Sequence, residues 1–365
     1  MRAIHESTRP ALIVSAALVL AGALLTGCEN VAINTPAGGL IKPAIALDLP
    51  EKYNTPDGMT VDKDGSILLS IPNANDLTHP AKILRISKDD KITEVVTLPN
   101  HPETKKPCGP LGVAVGSDGN LYVADNQSFG TDKHKSRLLR ITMKNGKGVK
   151  VEAVVTGFIM SNGVCCRGDR VYVCESVFDK SVYPITSGVY TFKLSELSGA
   201  KPIALKPGGD DRYLALKFTT ANKEWQVGAN GLGVGLDDSL FICNFGDAQL
   251  LKAKLNADGT KAVSLDVFAQ GAGMLCCDGL NVCRKTGDIF IADFLGNAIH
   301  RVDAKTGRIV TIAKNGNTDG SGGALDRPSE PCVRGNRVYA SNIDLPLAGN
   351  TYDKPHTVSV IQLGD

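Results

Sequence analysis

The sequence predicts an all-β fold, a six-bladed β-propeller, from two features. A three-residue phrase that ends in Gly five times and in Pro once returns six times in the 365-residue chain, at intervals of 48 to 68 residues. After most copies come an apolar alternating stretch, a turn with Gly and a second apolar stretch. Repeats of this length are typical of propeller blades, which are four-stranded sheets. The copies are Pro56-Asp57-Gly58, Pro110-Leu111-Gly112, Ser161-Asn162-Gly163, Ala229-Asn230-Gly231, Cys277-Asp278-Gly279 and Ser329-Glu330-Pro331.

Period-two alternation and turn residues predict the strands of each blade. In blade one they are Met59–Val61, Ile67–Ile71, Lys82–Ile86 and Ile92–Leu98, and in blade two Gly112–Val115, Leu121–Ala124, Arg137–Ile141 and Val149–Val155. Blade three is expected from Val164 to about Leu205, blade four from Leu232 to Phe268 and blade five from Leu280 to Ile312.

The sixth blade has only three strands of its own, predicted at Pro331–Val333, Arg337–Ser341 and Thr357–Leu363. The segment from Ala44 to Pro50 resembles the fourth strands of other blades. We therefore expect this N-terminal segment to complete the last blade and close the ring, which removes the exposed edge of an open sheet.

The N-terminus has the features of an export signal. Arg2 and Arg9 precede an apolar run from Ala11 to Leu25, which is short for a membrane span. The run ends in Leu25-Thr26-Gly27-Cys28, which resembles a bacterial lipobox. We predict a lipoprotein signal peptide at 1–27, lipidation of Cys28, a tether at 28–42 and the propeller at 43–365, in a protein anchored to a membrane and facing the periplasm or cell exterior. The alternative is an ordinary secretory signal with an incidental cysteine.

The net charge of +2 gives no sign of a nucleic-acid partner. We expect a monomer that binds a small molecule and meets the membrane only through its lipid anchor. Nine cysteines remain besides Cys28, and an exported chain meets an oxidising compartment. The adjacent pairs Cys165-Cys166 and Cys276-Cys277 are candidates for vicinal disulfides, with bonds between neighbouring blades as the alternative.

Five of the six repeated phrases have Asp, Asn or Glu at the centre. A propeller directs the start of each innermost strand at the central channel, so these oxygen atoms are expected to converge. Like charges in a narrow channel are unfavourable without protons or a cation, and hard cations prefer oxygen ligands. The competing interpretation is that Asp-Gly and Asn-Gly only form turns that lead into strands.

From about residue 44 to 365 the chain resembles the six-bladed superfamily of senescence marker protein-30, gluconolactonases and luciferin-regenerating enzymes. The resemblance rests on the repeated phrases given above. It implies that a divalent cation, Ca²⁺ above all, is held by Glu330, Asn162, Asn230 and Asp278, with Asp57 as a further acid. In that superfamily the Glu belongs to the first blade, whereas Glu330 lies in the last. The phrases that end in Asp125 and Asp293 also resemble NHL repeats.

Long loops are predicted between the second and third strands of blades one, two, three and six, on the same rim as the channel oxygens. The resemblance implies a metal-dependent hydrolase of the lactonase or arylesterase type, acting at the channel mouth on this rim. The cation would polarise the carbonyl of a lactone or ester, and Asp278 or Asp57 would be the general base. Two alternatives stay open. One is a non-catalytic, NHL-like propeller that binds a ligand or protein, and the other is a disulfide-dependent redox or assembly factor.

Overall fold

A computed structural model of the chain describes residues 36, 39–128 and 134–364. The predicted signal peptide, Cys28 and most of the tether lie outside these residues. The described chain forms six β-sheets, and the innermost strands of successive sheets contact each other around a closed ring. The predicted all-β, six-bladed propeller is therefore confirmed.

Blades one and two follow the predicted pattern closely. Blade one is a four-stranded sheet, and blade two is a sheet of five strands. The strands of blade one are β2 (Met59–Val61), β3 (Ile67–Ile71), β4 (Lys82–Ile86) and β5 (Ile92–Thr97). The first four strands of blade two are β6 (Pro110–Val115), β7 (Leu121–Asp125), β8 (Ser136–Lys144) and β9 (Lys147–Phe158).

Blade three differs from the prediction at its outer edge. Its strands are β10 (Ser161–Arg167), β11 (Arg170–Glu175), β12 (Ile185–Lys193) and β14 (Leu214–Thr220). The segment expected to end this blade contains β13 (Ile203–Ala204), which instead pairs parallel with β9 as the fifth strand of blade two. Hydrogen bonding to the neighbouring blade therefore overrides chain order in this segment.

Blades four and five are regular antiparallel meanders. Blade four consists of β15 (Ala229–Val234), β16 (Leu240–Asn244), β17 (Gln249–Leu255) and β18 (Ala262–Gln270). Blade five consists of β19 (Leu280–Val282), β20 (Ile289–Asp293), β21 (Ala298–Val302) and β22 (Ile309–Lys314). Among the described residues, short 3₁₀ helices lie at Glu51–Tyr53, Leu194–Glu196, Pro207–Gly209 and Ser321–Gly323.

The last blade joins both ends of the propeller. It consists of β23 (Pro328–Arg334), β24 (Arg337–Asn342), β25 (His356–Gln362) and β1 (Ala44–Leu49). β1 pairs antiparallel with β25 from Ala44↔Val360 to Leu49↔His356. The prediction that an N-terminal strand completes the last blade is therefore confirmed, and β25 has a hydrogen-bonded partner on both sides.

The hydrophobic core lies between the blades. Apolar side chains of each sheet pack on those of the next sheet, and six such clusters follow one another around the ring. The cluster between the last and first blades packs Leu47 and Tyr339 with Ile67 and Leu84. Packing of this kind holds each inner strand at a fixed place beside the channel. Among the described residues, no helix has the length and hydropathy that crossing a membrane requires.

Candidate functional site

The glycine of the repeated phrase allows the inner strands to approach each other. A Cβ atom at Gly163 would lie 2.1 Å from the backbone oxygen of Asn230 in the next blade. At Gly279 it would lie 2.1 Å from Glu330 Oε2 and 2.3 Å from the backbone oxygen of Ser329. The Gly279 N–H also donates a 2.9 Å hydrogen bond to that Ser329 oxygen. The phrase therefore recurs because backbones meet at the channel, in addition to any role in turns.

Three carboxylates from different blades face one another in this channel. Asp57 precedes β2, Asp278 precedes β19, and Glu330 lies in β23. Burial raises the pKa of Asp278 and of Glu330 well above the ordinary range, and the charge of Asp57 raises both further. Burial also raises the pKa of Asp57, to about 6, although the hydroxyl of Ser329 partly opposes this. The channel therefore disfavours three free negative charges together.

Each acid has a polar neighbour but no cationic one. The Ser329 hydroxyl donates to Asp57 Oδ1, and the side chain of Asn230 hydrogen-bonds to Asp278. The carboxylate of Glu330 accepts a hydrogen bond from the backbone N–H of Leu280. Within the described part of the chain, none of the three carboxylates forms an ion pair with Lys, Arg or His.

The predicted site residues are brought together in part. Asp57, Asp278 and Glu330 interact electrostatically, and Asn230 contacts Asp278. Asn162 occupies the same position in blade three, where it is partly exposed and its backbone oxygen faces Gly112. The ligand oxygens of the three acids do not all lie within 4.8 Å of one another, since such a group occurs in the described residues only elsewhere. Two carboxylates together with amide oxygens are therefore a better candidate set of cation ligands than the three carboxylates.

Buried acids at the ends of second strands fix the segments that lead into the channel. Asp125 Oδ1 accepts the N–H of Gly109 at 2.8 Å, and its other oxygen pairs with the guanidinium of Arg137. The carboxylate of Asp293 accepts hydrogen bonds from the N–H groups of Leu275 and Cys276 and contacts His300. These are the Asp residues of the two NHL-like phrases. They act on the backbone here and do not line the channel cavity.

A cavity of about 550 Å³ occupies the channel. Its walls are the inner strands and the turns that follow them, including Lys63, Ser117, Cys166 and Arg284, and it reaches Glu330. Because turns after the first strands lie opposite the long loops, the cavity opens away from the rim where we expected the binding site. Lys63 and Arg284 were not among the predicted site residues. Each comes just after an inner strand of the repeat, and this position is the sequence feature that could have identified it.

The two predicted vicinal disulfides are not formed, and all nine cysteines of the described residues are free thiols. Alternation along β10 sends Cys165 into the core between blades three and four, while Cys166 packs between blades two and three. Cys276 and Cys277 likewise belong to different apolar clusters. The thiol of Cys277 instead contacts that of Cys243 in blade four, with a distance of 2.8 Å between the sulfur atoms.

The fold of this chain is similar to that of several solved structures. The structure resembles regucalcin from Agrobacterium tumefaciens, described as a calcium-binding protein, with a TM-score of 0.57 and 12% identity over 88% of this chain and 94% of that one. It also resembles a gluconolactonase from Xanthomonas campestris, with a TM-score of 0.55 and 14% identity over 91% and 97% of the two chains. The chain has their six-bladed fold.

The same fold also carries other chemistry. A PQQ-bound aldose sugar dehydrogenase from Streptomyces coelicolor has a TM-score of 0.55 and 14% identity over 90% of this chain and 98% of that one. The NHL repeat family matches residues 108–129, which span the buried Asp125. No curated protein sequence matches the chain. At these identities the likeness establishes the fold, and activity has to be argued from the site.

Proposed function

We propose that this protein is a metal-dependent hydrolase of the lactonase or ester-hydrolase type. The observation that carries the proposal is the set of buried carboxylates from blades one, five and six, which face one another without a cationic side chain. Such a set requires protons or a cation to balance it. The similarity of the fold to a gluconolactonase and to a calcium-binding regucalcin favours the cation.

The donor set fits a hard divalent cation, and Ca²⁺ in particular. Glu330 and Asp278 would supply carboxylate oxygens, and Asn162 and Asn230 would supply amide oxygens, which are ligands that Ca²⁺ prefers. Asn230 already contacts Asp278, so one amide and one acid are held together before any cation binds. When bound, the cation would supply Lewis-acid polarisation of the substrate carbonyl.

Asp57 is the better of the two candidate bases. Its charge acts on both Glu330 and Asp278, and its Oδ1 accepts a hydrogen bond from the Ser329 hydroxyl. Burial raises the pKa of its carboxyl, which makes the carboxylate a stronger base towards water than an exposed Asp. Asp278 would then serve as a cation ligand beside Asn230. The cavity that reaches Glu330 provides space for a small cyclic ester, and Lys63 and Arg284 on its wall favour substrates with an acidic group.

A ligand-binding propeller without catalysis is the second candidate function. The NHL match over residues 108–129 favours it, as does the resemblance of that segment to repeats that often only bind. In this alternative the cavity between Lys63 and Arg284 would hold an anionic ligand, while the channel acids would stay protonated. The two candidates differ in whether a cation is required at Glu330.

The first test is metal analysis of the purified protein beside the double variant Glu330→Gln/Asp278→Asn. We expect a channel cation in the wild-type protein that the variant lacks, and hydrolysis of lactones or aryl esters that falls by at least about 100-fold in the variant. The control is Asp89→Asn/Asp266→Asn, which removes two exposed carboxylates and should change neither property. If the channel variant binds as much cation as the wild type, the hydrolase proposal is wrong.

We also propose that the protein is exported and attached to a membrane through lipidated Cys28. The motif Leu25-Thr26-Gly27-Cys28 after the apolar run supports this. Radiolabelled palmitate should enter the wild-type protein in bacterial cells and should not enter a Cys28→Ser variant. Equal labelling of both proteins would contradict the proposal.

A further inference from the structure

A second group of carboxylates lies in the last blade, away from the channel acids. Asp326 is in the segment that leads into β23, and Asp344 and Asp353 are on the loop between β24 and β25. One ligand oxygen from each of the three lies within 4.8 Å of the others. Asp326 is 1% exposed and Asp344 is 2% exposed, whereas Asp353 is half-buried. Three acidic side chains therefore meet where the loop packs on the segment before β23.

The nearby cations are engaged elsewhere. The guanidinium of Arg327 donates to the backbone oxygens of Phe294, Leu295 and Ala348. Lys354 and His356 both lie against Glu51. None of the three cluster carboxylates forms an ion pair within residues 39–128 and 134–364. The charge of Arg327 lowers the pKa of Asp326 without forming an ion pair, so the remaining negative charge of the three acids has to be balanced by protons or by a bound cation.

Unpartnered oxygens supply an independent observation. Asn350 is 8% exposed, and its Nδ2 donates to Asp344 Oδ1 at 2.8 Å, which places its amide group against the cluster. The Oδ1 atom of that amide is buried and has no hydrogen-bond partner. Asp326 Oδ1 and Asp353 Oδ1 are also buried without a partner. Buried polar atoms without partners are rare in folded proteins, because each costs free energy.

We propose that Asp326, Asp344, Asp353 and Asn350 hold a structural Ca²⁺ ion. Carboxylate and amide oxygens are the ligands that this ion prefers, and Ca²⁺ accepts irregular oxygen sets more readily than Mg²⁺ does. The ion would satisfy the unpartnered oxygen atoms and balance the charge of three acids. This site is separate from the channel site and does not depend on the proposed hydrolase function.

The acids of the cluster also favour a cation by electrostatics. Burial, followed by the charge of Asp344, raises the pKa of Asp326 to about 8, and burial raises that of Asp344 to about 6. Bringing these carboxylates together is therefore unfavourable unless their charge is balanced.

The consequence is mechanical. The ion would fasten the β24–β25 loop to the segment that leads into β23, three residues before Ser329. The same blade closes the ring, because β25 also pairs with β1. Asn75 of blade one donates to the backbone oxygen of Asp344 at 2.8 Å, which joins the next blade to the same loop. Calcium should therefore stabilise the closure of the propeller.

The test compares chelator-treated proteins, with CaCl₂ and MgCl₂ as probes, by isothermal titration and thermal melting. We expect two Ca²⁺ sites in the wild type. Asp326→Asn/Asp353→Asn should lose one of these sites, and its Tm should rise less with Ca²⁺ concentration than that of the wild type. Mg²⁺ should bind at least about tenfold more weakly than Ca²⁺. Asp89→Asn/Asp266→Asn, with the same change in charge on exposed residues, should keep both sites.

The channel variant Glu330→Gln/Asp278→Asn separates the two proposals and leaves the cluster intact. It should retain one Ca²⁺ site and a Tm that rises with Ca²⁺. No Ca²⁺ response in this variant would overturn the inference, even if the cluster variant does not fold. A Ca²⁺ stoichiometry in Asp326→Asn/Asp353→Asn equal to that of the wild type would also overturn it. One site in the wild type that only the cluster variant loses would support it and contradict the channel cation instead.

Discussion

Replacing Gly279 by Ala tests whether close backbone approach holds the channel site together. The new Cβ atom would lie 2.1 Å from Glu330 Oε2 and 2.3 Å from the backbone oxygen of Ser329. The carboxylate can rotate away, but the Ser329 backbone cannot move without weakening its 2.9 Å hydrogen bond with the Gly279 N–H. Overpacking of this kind costs about 1–3 kcal/mol of folding free energy.

We expect Gly279→Ala to lower the Tm by roughly 2–10 °C and to weaken cation binding in the channel, because Glu330 is displaced from its neighbours. Denaturant unfolding and calcium titration measure the two effects. Gly316→Ala is the matched control, since a Cβ atom there would meet nothing within 4 Å and Gly316 is outside the left-handed region of φ. Its stability should be unchanged or slightly raised. A Gly279→Ala protein with wild-type stability and cation binding would refute the reasoning.

Three further predictions concern buried polar groups. Arg137→Leu should lower the free energy of unfolding by about 3–5 kcal/mol in denaturant titrations, because it leaves the buried Asp125 carboxylate without its guanidinium. Burial raises the pKa of Glu175 from 4.5 to about 8. The unfolded chain therefore loses this proton at a lower pH than the folded protein does. As the pH rises from 4.5 towards 8, the free energy of unfolding should fall by up to about 1.4 kcal/mol per pH unit from its value below pH 4.5. Folding with oxidised glutathione should join Cys243 and Cys277 in a disulfide and release two reduced glutathiones, so alkylation followed by mass spectrometry should count two fewer thiols.

Each of these has its own control. Arg212→Leu changes an exposed guanidinium and should leave stability within about 0.5 kcal/mol of the wild type, and an equal loss in both Arg variants would contradict the buried-pair argument. Glu175→Gln should reduce the slope between pH 4.5 and 8 by up to about 1.4 kcal/mol per pH unit, and an unchanged slope would rule Glu175 out as a contributor. Cys243→Ser should abolish the loss of two thiols, and a disulfide of Cys277 with another cysteine in the wild type would contradict the predicted pairing.

The sequence was sufficient to predict the ring and its closure. The strands of blade one were predicted to within one residue, because alternation along a strand and glycine-containing turns are local properties. The role of β1 could also be predicted, since an incomplete last blade requires a strand from elsewhere in the chain. The repeated phrases also placed Asp57, Asp278 and Glu330 at the starts of inner strands, because the phrase occupies the same position in each blade.

Tertiary structure alone decided the rest. Whether Ile203–Ala204 joins blade two or three depends on hydrogen bonds between blades, which leave no local pattern. The separation of Cys165 from Cys166 follows from strand alternation only once β10 is known to continue through both residues. The cluster of Asp326, Asp344 and Asp353 unites a segment and a loop that the sequence shows as unrelated. Local residue patterns therefore determined the strands and their number, whereas contacts between distant segments determined which charges meet and where the cavity opens.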